Sequence, residues 1–286
     1  MSDLALALVL GAAGIHATWN YLLKRSGGGT LFVWWFAAVS AAIYAPLAFA
    51  VIWWMQPTLG WIHFGLMFAS ALLHTAYYML LDRGYRSGDL SLVYPIARGS
   101  GPLLTVLCAI LLLQERPSVL AIVGALLICS GAVLLTGNLR QLRERGSLAA
   151  VGFALLTGGM IASYTLVDKI AVAAYLVPPL LQDWAANLGR VLLMTPMALN
   201  LKSELLPTWR RAKKSIIAVA VLCPLSYILV LTAMVFTPVS YIAPAREISI
   251  LFATAMGTQL LAEGDAARRL TAAATMVAGI LCLALG

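Results

Sequence analysis

The chain has 286 residues, of which 62% are hydrophobic and 10% charged, with a formal net charge of +8 and a mean hydropathy of +0.93. Soluble domains carry about 25% charged residues, so this chain has too little polar surface to coat a water-soluble globule. Its positive charges sit in short segments between apolar runs, which fits loops at a membrane surface and argues against a nucleic-acid partner.

A spanning helix takes about 20 apolar residues, so a chain of this length has room for about ten spans and no soluble domain. In chain order the expected spans cover roughly 3–23, 30–54, 60–81, 90–113, 117–137, 147–167, 179–199, 215–236, 240–262 and 270–285. The first run follows Met1, Ser2 and Asp3 without the basic stretch of a signal peptide, and reads as a retained span. Ser26, Gly27, Gly28 and Gly29 mark the first turn. Pro57, Pro117, Pro178 and Pro238 fall near other boundaries, where proline costs a helix little. Trp34, Trp35, Trp53, Trp54 and Trp61 lie near expected boundaries and read as an aromatic belt. Cys108, Cys129, Cys223 and Cys282 all sit in apolar stretches, with no CxxC pair and no metal-ligand spacing to histidine, so they read as small buried residues. Asp183 and Arg190, seven apart on the seventh span, roughly share a face.

Fourteen of the 19 basic residues fall in odd-numbered loops, Arg116 and Lys169 alone fall in even-numbered ones, and Arg98, Arg190 and Arg246 fall within spans. The positive-inside rule then places the odd loops in the cytoplasm and both termini on the non-cytoplasmic side of the cell (inner) membrane.

The two halves resemble each other. Arg98 and Glu115 are 17 residues apart, as are Arg246 and Glu263, at an offset of 148. Ala17, Trp19 and Lys24 match Ala162, Tyr164 and Lys169 at an offset of 145. With five spans per half, the second copy must insert upside down. The expected architecture is therefore an all-α polytopic membrane protein with ten transmembrane helices in two inverted five-helix repeats, residues 1–138 and 139–286. Inverted repeats are common in secondary transporters, with the substrate site near the midplane between them.

The same residues carry a family resemblance. "GDLSLVYPIARGSGPLL" (Gly88 to Leu104) followed by "LLLQE" resembles the fourth span of EamA-type members of the drug/metabolite transporter superfamily. "FTPVSYIAPAREISILFATAMGTQLLAE" (Phe236 to Glu263) is similar to the ninth span, and "HATWNYLLK" (His16 to Lys24) to the first. The resemblance implies a central cavity lined mainly by spans 1, 3, 4, 6, 8 and 9, and transport, often export, of small metabolites such as amino acids. The second half departs from the pattern: Pro244 lies two residues before Arg246, whereas Pro95 lies three before Arg98.

Charges at bilayer depth cost about 2.5–3.5 kcal/mol on insertion scales and mark polar cavities or internal pairs. Arg98 and Arg246 occupy matching positions, and their guanidinium forks suit a carboxylate or phosphonate; the competing role is an internal ion pair. Glu247 would neutralise Arg98, bind a substrate amine or take up a coupling proton. His16 and Asn20 share one face of the first span with Lys24, and Trp19 borders it. His74 and Tyr78 form an i, i+4 pair on the third span. Tyr94 lies one turn before Arg98, Tyr164 is the repeat partner of Trp19, and Tyr227 sits on the eighth span. Aromatic faces there would stack on an organic substrate or box an ammonium, or else pack as ordinary core. Pro95, Gly99, Gly101 and Pro102 around Arg98 read either as a loosened helix that serves as a hinge or as a close-packing surface.

These residues point to a secondary transporter of an anionic or zwitterionic small molecule, with the lipid bilayer as its surroundings, protons as a candidate coupling ion and no cofactor. Competing readings are an intramembrane enzyme acting on a lipid headgroup and a structural subunit of a membrane complex. No HExxH, GxSxG, paired-Asp or Cys–His motif supports the enzyme.

Overall fold

The computed structural model describes residues 1–87, 90–136, 147–258 and 266–286. Within the helices the side chains of Lys24, Tyr85, Arg86, 90–92, Tyr94, Pro95, Leu135, Thr136, Ser147, 254–258, 266–267 and Arg269 are also outside the described set. The described residues form helices and connecting turns, with no strand among them.

The helices run α1 (Asp3–Arg25), α2 (Thr30–Met55), α3 (Trp61–Ser87), α4 (Leu90–Leu112), α5 (Val119–Thr136), α6 (Ser147–Lys169), α7 (Pro179–Asn200), α8 (Lys202–Phe236), α9 (Val239–Ala245), α10 (Ile248–Thr258) and α11 (Ala266–Leu285), with a π-helical turn at Ile170–Ala174 after α6. Five of the described helical stretches are long and apolar enough to cross a membrane: Asp3–Leu23, Thr30–Met55, Trp61–Gly84, Leu148–Ala174 and Lys202–Phe236. Ile96–Leu112, Val119–Leu134 and Leu270–Leu285 are shorter apolar helices.

The distribution of polarity is that of a protein in lipid. On α7, Gln182, Asp183, Asn187 and Arg190 are buried, while Leu188, Leu192 and Leu199 face outward. A helix in water shows the reverse. Trp53, Trp54 and Trp61 are each more than 80% exposed, as a lipid-facing aromatic belt requires. Trp34 and Trp35 are half-buried instead, and both bond within the protein. The Trp34 indole donates to Thr195 Oγ1 at 3.1 Å, and that of Trp35 donates to the Leu205 carbonyl at 3.0 Å. Both indoles therefore tie α2 to α7 and α8, because a buried indole N–H needs an acceptor.

Two expected boundaries move. The segment expected as a loop before residue 215 is helical from Lys202 onward. Hydropathy ends where Lys213 and Lys214 begin, but helix propensity does not, since Leu, Lys, Arg and Glu are all good helix formers. Trp209 packs on Trp35 at 4.9 Å and holds this extension in place. The expected ninth span is broken into α9 and α10 at Arg246–Glu247. Beyond Pro244 the hydrogen bonds tighten: Glu247 N–H bonds the Pro244 carbonyl, Ser249 N–H that of Arg246, and Ile250 N–H that of Glu247, all three residues back. By contrast, α4 runs unbroken through Pro95, Gly99, Gly101 and Pro102. Of the two readings offered for the segment around Arg98, the unbroken helix fits the close-packing surface, and the helix break lies at Arg246–Glu247 instead. Gly101 serves contact: a Cβ there would stand 2.9 Å from Ile161 of α6.

Gly27, Gly28 and Gly29 all have positive φ, which confirms the first turn and explains the glycine run. α5 and α11 approach most closely through glycines. A Cβ on Gly124 would lie 2.7 Å from the Gly279 carbonyl, and one on Gly279 would lie 2.7 Å from the Gly124 carbonyl. Backbone cannot yield as a flexible side chain can. Gly124→Val is therefore expected to destabilise the protein by about 1–3 kcal/mol. Thermal unfolding in detergent measures it, and an unchanged melting temperature would show that the two helices separate freely.

Candidate functional site

α1, α4, α8 and the α9–α10 break meet around a cleft lined by Ala12, Ala13, His16, Arg98, Tyr227 and Arg246, with Ser226 and Val230 completing the wall. The room left for the centre of a water molecule is about 10 Å³, close to the minimum that holds one water. The cleft is closed to anything metabolite-sized.

Arg98 is buried and committed. Its Nη1 donates to Glu247 Oε1 at 3.3 Å and its Nη2 donates to His16 Nε2 at 2.6 Å. The imidazole must present a lone pair at Nε2 to accept. Glu247 is buried, and its Oε2 has no hydrogen-bond partner among the described residues. The ring of His16 meets Trp19 edge-on at 4.7 Å, and the Trp19 indole donates to Ser226 Oγ at 3.3 Å.

Arg246 differs from Arg98. It lines the cleft with its Cζ 5.2 Å above the Tyr227 ring, and it has no ion pair among the described residues. A guanidinium on an aromatic face keeps its N–H edges available. The aromatic wall continues outward from Tyr227. His74 stacks on Tyr164 at 4.0 Å and meets Tyr227 edge-on at 5.4 Å, while Tyr77 lies 5.9 Å from Tyr164. His74 Nδ1 lies 2.9 Å from the Ser70 carbonyl, one turn back.

Of the expected site residues, His16, Arg98, Tyr227 and Arg246 come together at the cleft. Glu247 and Trp19 stand directly behind them, and His74 and Tyr164 form the adjoining aromatic wall. Two residues face elsewhere. Asn20 donates to the His16 carbonyl at 2.9 Å, so its amide is used on its own helix. Tyr78 lies 5.0 Å from the Arg190 guanidinium and 6.2 Å from Phe36, between α2, α3 and α7. The side chain of Tyr94 lies outside the described residues. Asp183 and Arg190 do share a buried face, joined through Asn187, which donates to Asp183 Oδ2 at 2.9 Å and accepts from Arg190 at 2.8 Å.

One group was not anticipated. Asp168, fully buried on α6, accepts from the Tyr227 hydroxyl at 2.5 Å and from Gln182 Nε2 at 2.8 Å. It fixes from behind the ring on which Arg246 rests. Two sequence cues were available: Asp168 lies four residues after Tyr164, on the same helix face, and beside the repeat-matched Lys169. At the same offset its first-half counterpart is Leu23, so a search guided by the repeat passes over it.

Lipid-facing helices around a closed, charged and aromatic-lined cleft define a multi-pass membrane protein with an internal polar site. Residues 3–137, just under half of the chain, match the EamA-like transporter family, which supports an EamA-type transporter of the drug/metabolite transporter superfamily. No curated protein matches the chain. A solved structure titled "Crystal structure of protein" superposes with a TM-score of 0.75 at 16% identity, covering 98% of each chain. At that identity the likeness speaks for the fold alone.

Proposed function

We propose that this protein is a secondary transporter, of exporter type, for a small organic anion or zwitterion such as an amino acid or organic acid. It works by alternating access, with ten spans in two inverted repeats, residues 1–138 and 139–286, in an inner membrane with both termini on the non-cytoplasmic side. Helix pairing supports the repeat. Exchanging the halves turns the α1–α8 contact into α6–α3, α4–α6 into α10–α1, and α2–α8 into α7–α3, and all of these pairs pack together. α2–α7 and α5–α11 map onto themselves.

The observation that carries the substrate class is Arg246, a cleft-lining guanidinium without an ion pair among the described residues. A carboxylate or phosphonate entering an opened cleft meets this cation first, while Arg98 is already engaged by Glu247 and His16. An organic body would then lie along Tyr227, Tyr164 and His74. Glu247 is the group at which a coupling proton or a substrate amine would compete for the Arg98 pair.

A thermal-shift screen of the purified protein against a metabolite panel tests this. A ligand that binds only the folded state raises the melting temperature, by mass action. Stabilisation by acids or zwitterions is expected to vanish in Arg246→Ala and to weaken in Arg98→Ala. Stabilisation that survives both substitutions in folded protein would place the site elsewhere and leave the arginines a structural role.

A further inference from the structure

The turn between α8 and α9 is gripped by two oppositely charged side chains. α8 ends at Phe236 and α9 begins at Val239. The Lys169 ammonium, at the end of α6, donates to the carbonyls of Met234 at 2.7 Å and Thr237 at 2.9 Å. The Glu115 carboxylate, from the α4–α5 connection, accepts from the amides of Val239 at 2.8 Å and Ser240 at 2.9 Å. Each charge sits at the helix end of opposite partial charge, where the backbone groups lack intrahelical partners. Gln114, at φ 55°, turns the chain back after α4, and Glu115 N–H bonds the Ala109 carbonyl. A left-handed non-glycine residue is uncommon, and here it aims the carboxylate.

The same end is tied further. The Tyr241 hydroxyl accepts from Ser118 N–H and donates to the Gly286 carbonyl, both at 3.2 Å. The Met1 ammonium donates to the Ala284 carbonyl at 3.3 Å, which brings the start of α1 here as well. From this pinned turn α9 extends seven residues to Arg246, about 10 Å of helix, and ends at the break carrying Arg246 and Glu247. It is a short lever fixed at one end, with the two charged residues of the cleft at the other.

We infer that Glu115 and Lys169 form a latch on the α8–α9 turn that holds this end of the cleft shut, and that its release lets α9 swing and opens the cleft from this side. The inference rests on the alternating-access reading for its meaning in transport, but the latch itself is readable without any substrate.

The test uses full-length protein with Cys108, Cys129, Cys223 and Cys282 replaced by alanine and a single reporter, Ala13→Cys, on the cleft wall where the native residue is 2% exposed. The probe is a charged maleimide. Glu115→Gln combined with Lys169→Met is expected to raise the labelling rate roughly tenfold, since losing charge-assisted hydrogen bonds shifts a closed–open equilibrium by that order. Neutralising Glu204, which lies exposed at the start of α8, should leave the rate unchanged. An unchanged rate in folded double variant overturns the latch and leaves the two residues as helix caps. Should the double variant not fold, Lys169→Met alone decides: a several-fold rise supports the latch, and no rise overturns it. Ligand stabilisation that survives both arginine substitutions in the thermal screen would count against the substrate site and leave this readout untouched.

Discussion

Arg98→Ala is expected to destabilise the folded protein by about 3–5 kcal/mol, the cost of breaking a buried ion pair from one side. The size follows from what is left behind. Glu247 is buried, its Oε2 already lacks a partner among the described residues, and Arg98 supplies the ion pair on Oε1. Removing the guanidinium strands a carboxylate in a closed cleft with room for about one water. Glu247→Gln should cost less, because the amide oxygen still accepts from Arg98, and the guanidinium left without its counter-charge keeps that bond and the one to His16. The double variant Arg98→Ala/Glu247→Gln should be more stable than the sum of the two single effects predicts, by about 0.5–3 kcal/mol, as residues in direct contact couple over that range. Equilibrium unfolding in detergent gives all four corners of the cycle. Strict additivity would mean that the 3.3 Å contact contributes nothing and that Arg98 is held by other groups.

Much of this site was legible in the sequence because membranes make polar residues conspicuous. A guanidinium in an apolar run announces itself, so Arg98, Arg246 and Glu247 stood out, and the Arg98–Glu247 pair realises one of the roles expected for Glu247. The helix segments followed from run length, and the first turn from its glycines. What stayed hidden depended on partners distant in sequence. Nothing local distinguishes Tyr78, which turns toward Arg190, from Tyr227, which turns toward Arg246. Asp168 lacked a repeat mate and fell just beyond the expected sixth span, 147–167, so no pattern singled it out. Trp34 and Trp35 looked like interfacial anchors because their acceptors, Thr195 and the Leu205 carbonyl, lie more than 150 residues away. The break at Arg246 was foreshadowed by the shifted Pro244. Proline spacing alone did not decide which half would break, because α4 absorbs Pro95 and Pro102 without interruption.

Asp168→Ala should be the second severe substitution, costing about 2–5 kcal/mol. Asp168 accepts from the Tyr227 hydroxyl on α8 and from the Gln182 amide on α7. Each donor stranded in the interior costs about 1–3 kcal/mol, and Gln182 is itself fully buried with its Oε1 unpartnered among the described residues. Asp168→Asn keeps an acceptor oxygen and should lose less than half as much. Tyr227→Phe removes one donor and retains the ring beneath Arg246, so it should cost about 1–3 kcal/mol in stability while leaving ligand stabilisation largely intact. Tyr227→Ala removes the platform as well and should abolish it. Melting temperatures of the four variants, with and without a ligand found in the screen, separate the two roles. If Tyr227→Phe loses ligand stabilisation as completely as Tyr227→Ala does, the hydroxyl and its bond to Asp168 belong to binding. If only Tyr227→Ala loses it, Asp168 acts on the cleft by holding three helices in register, and the face of the ring is what the substrate side of the site requires.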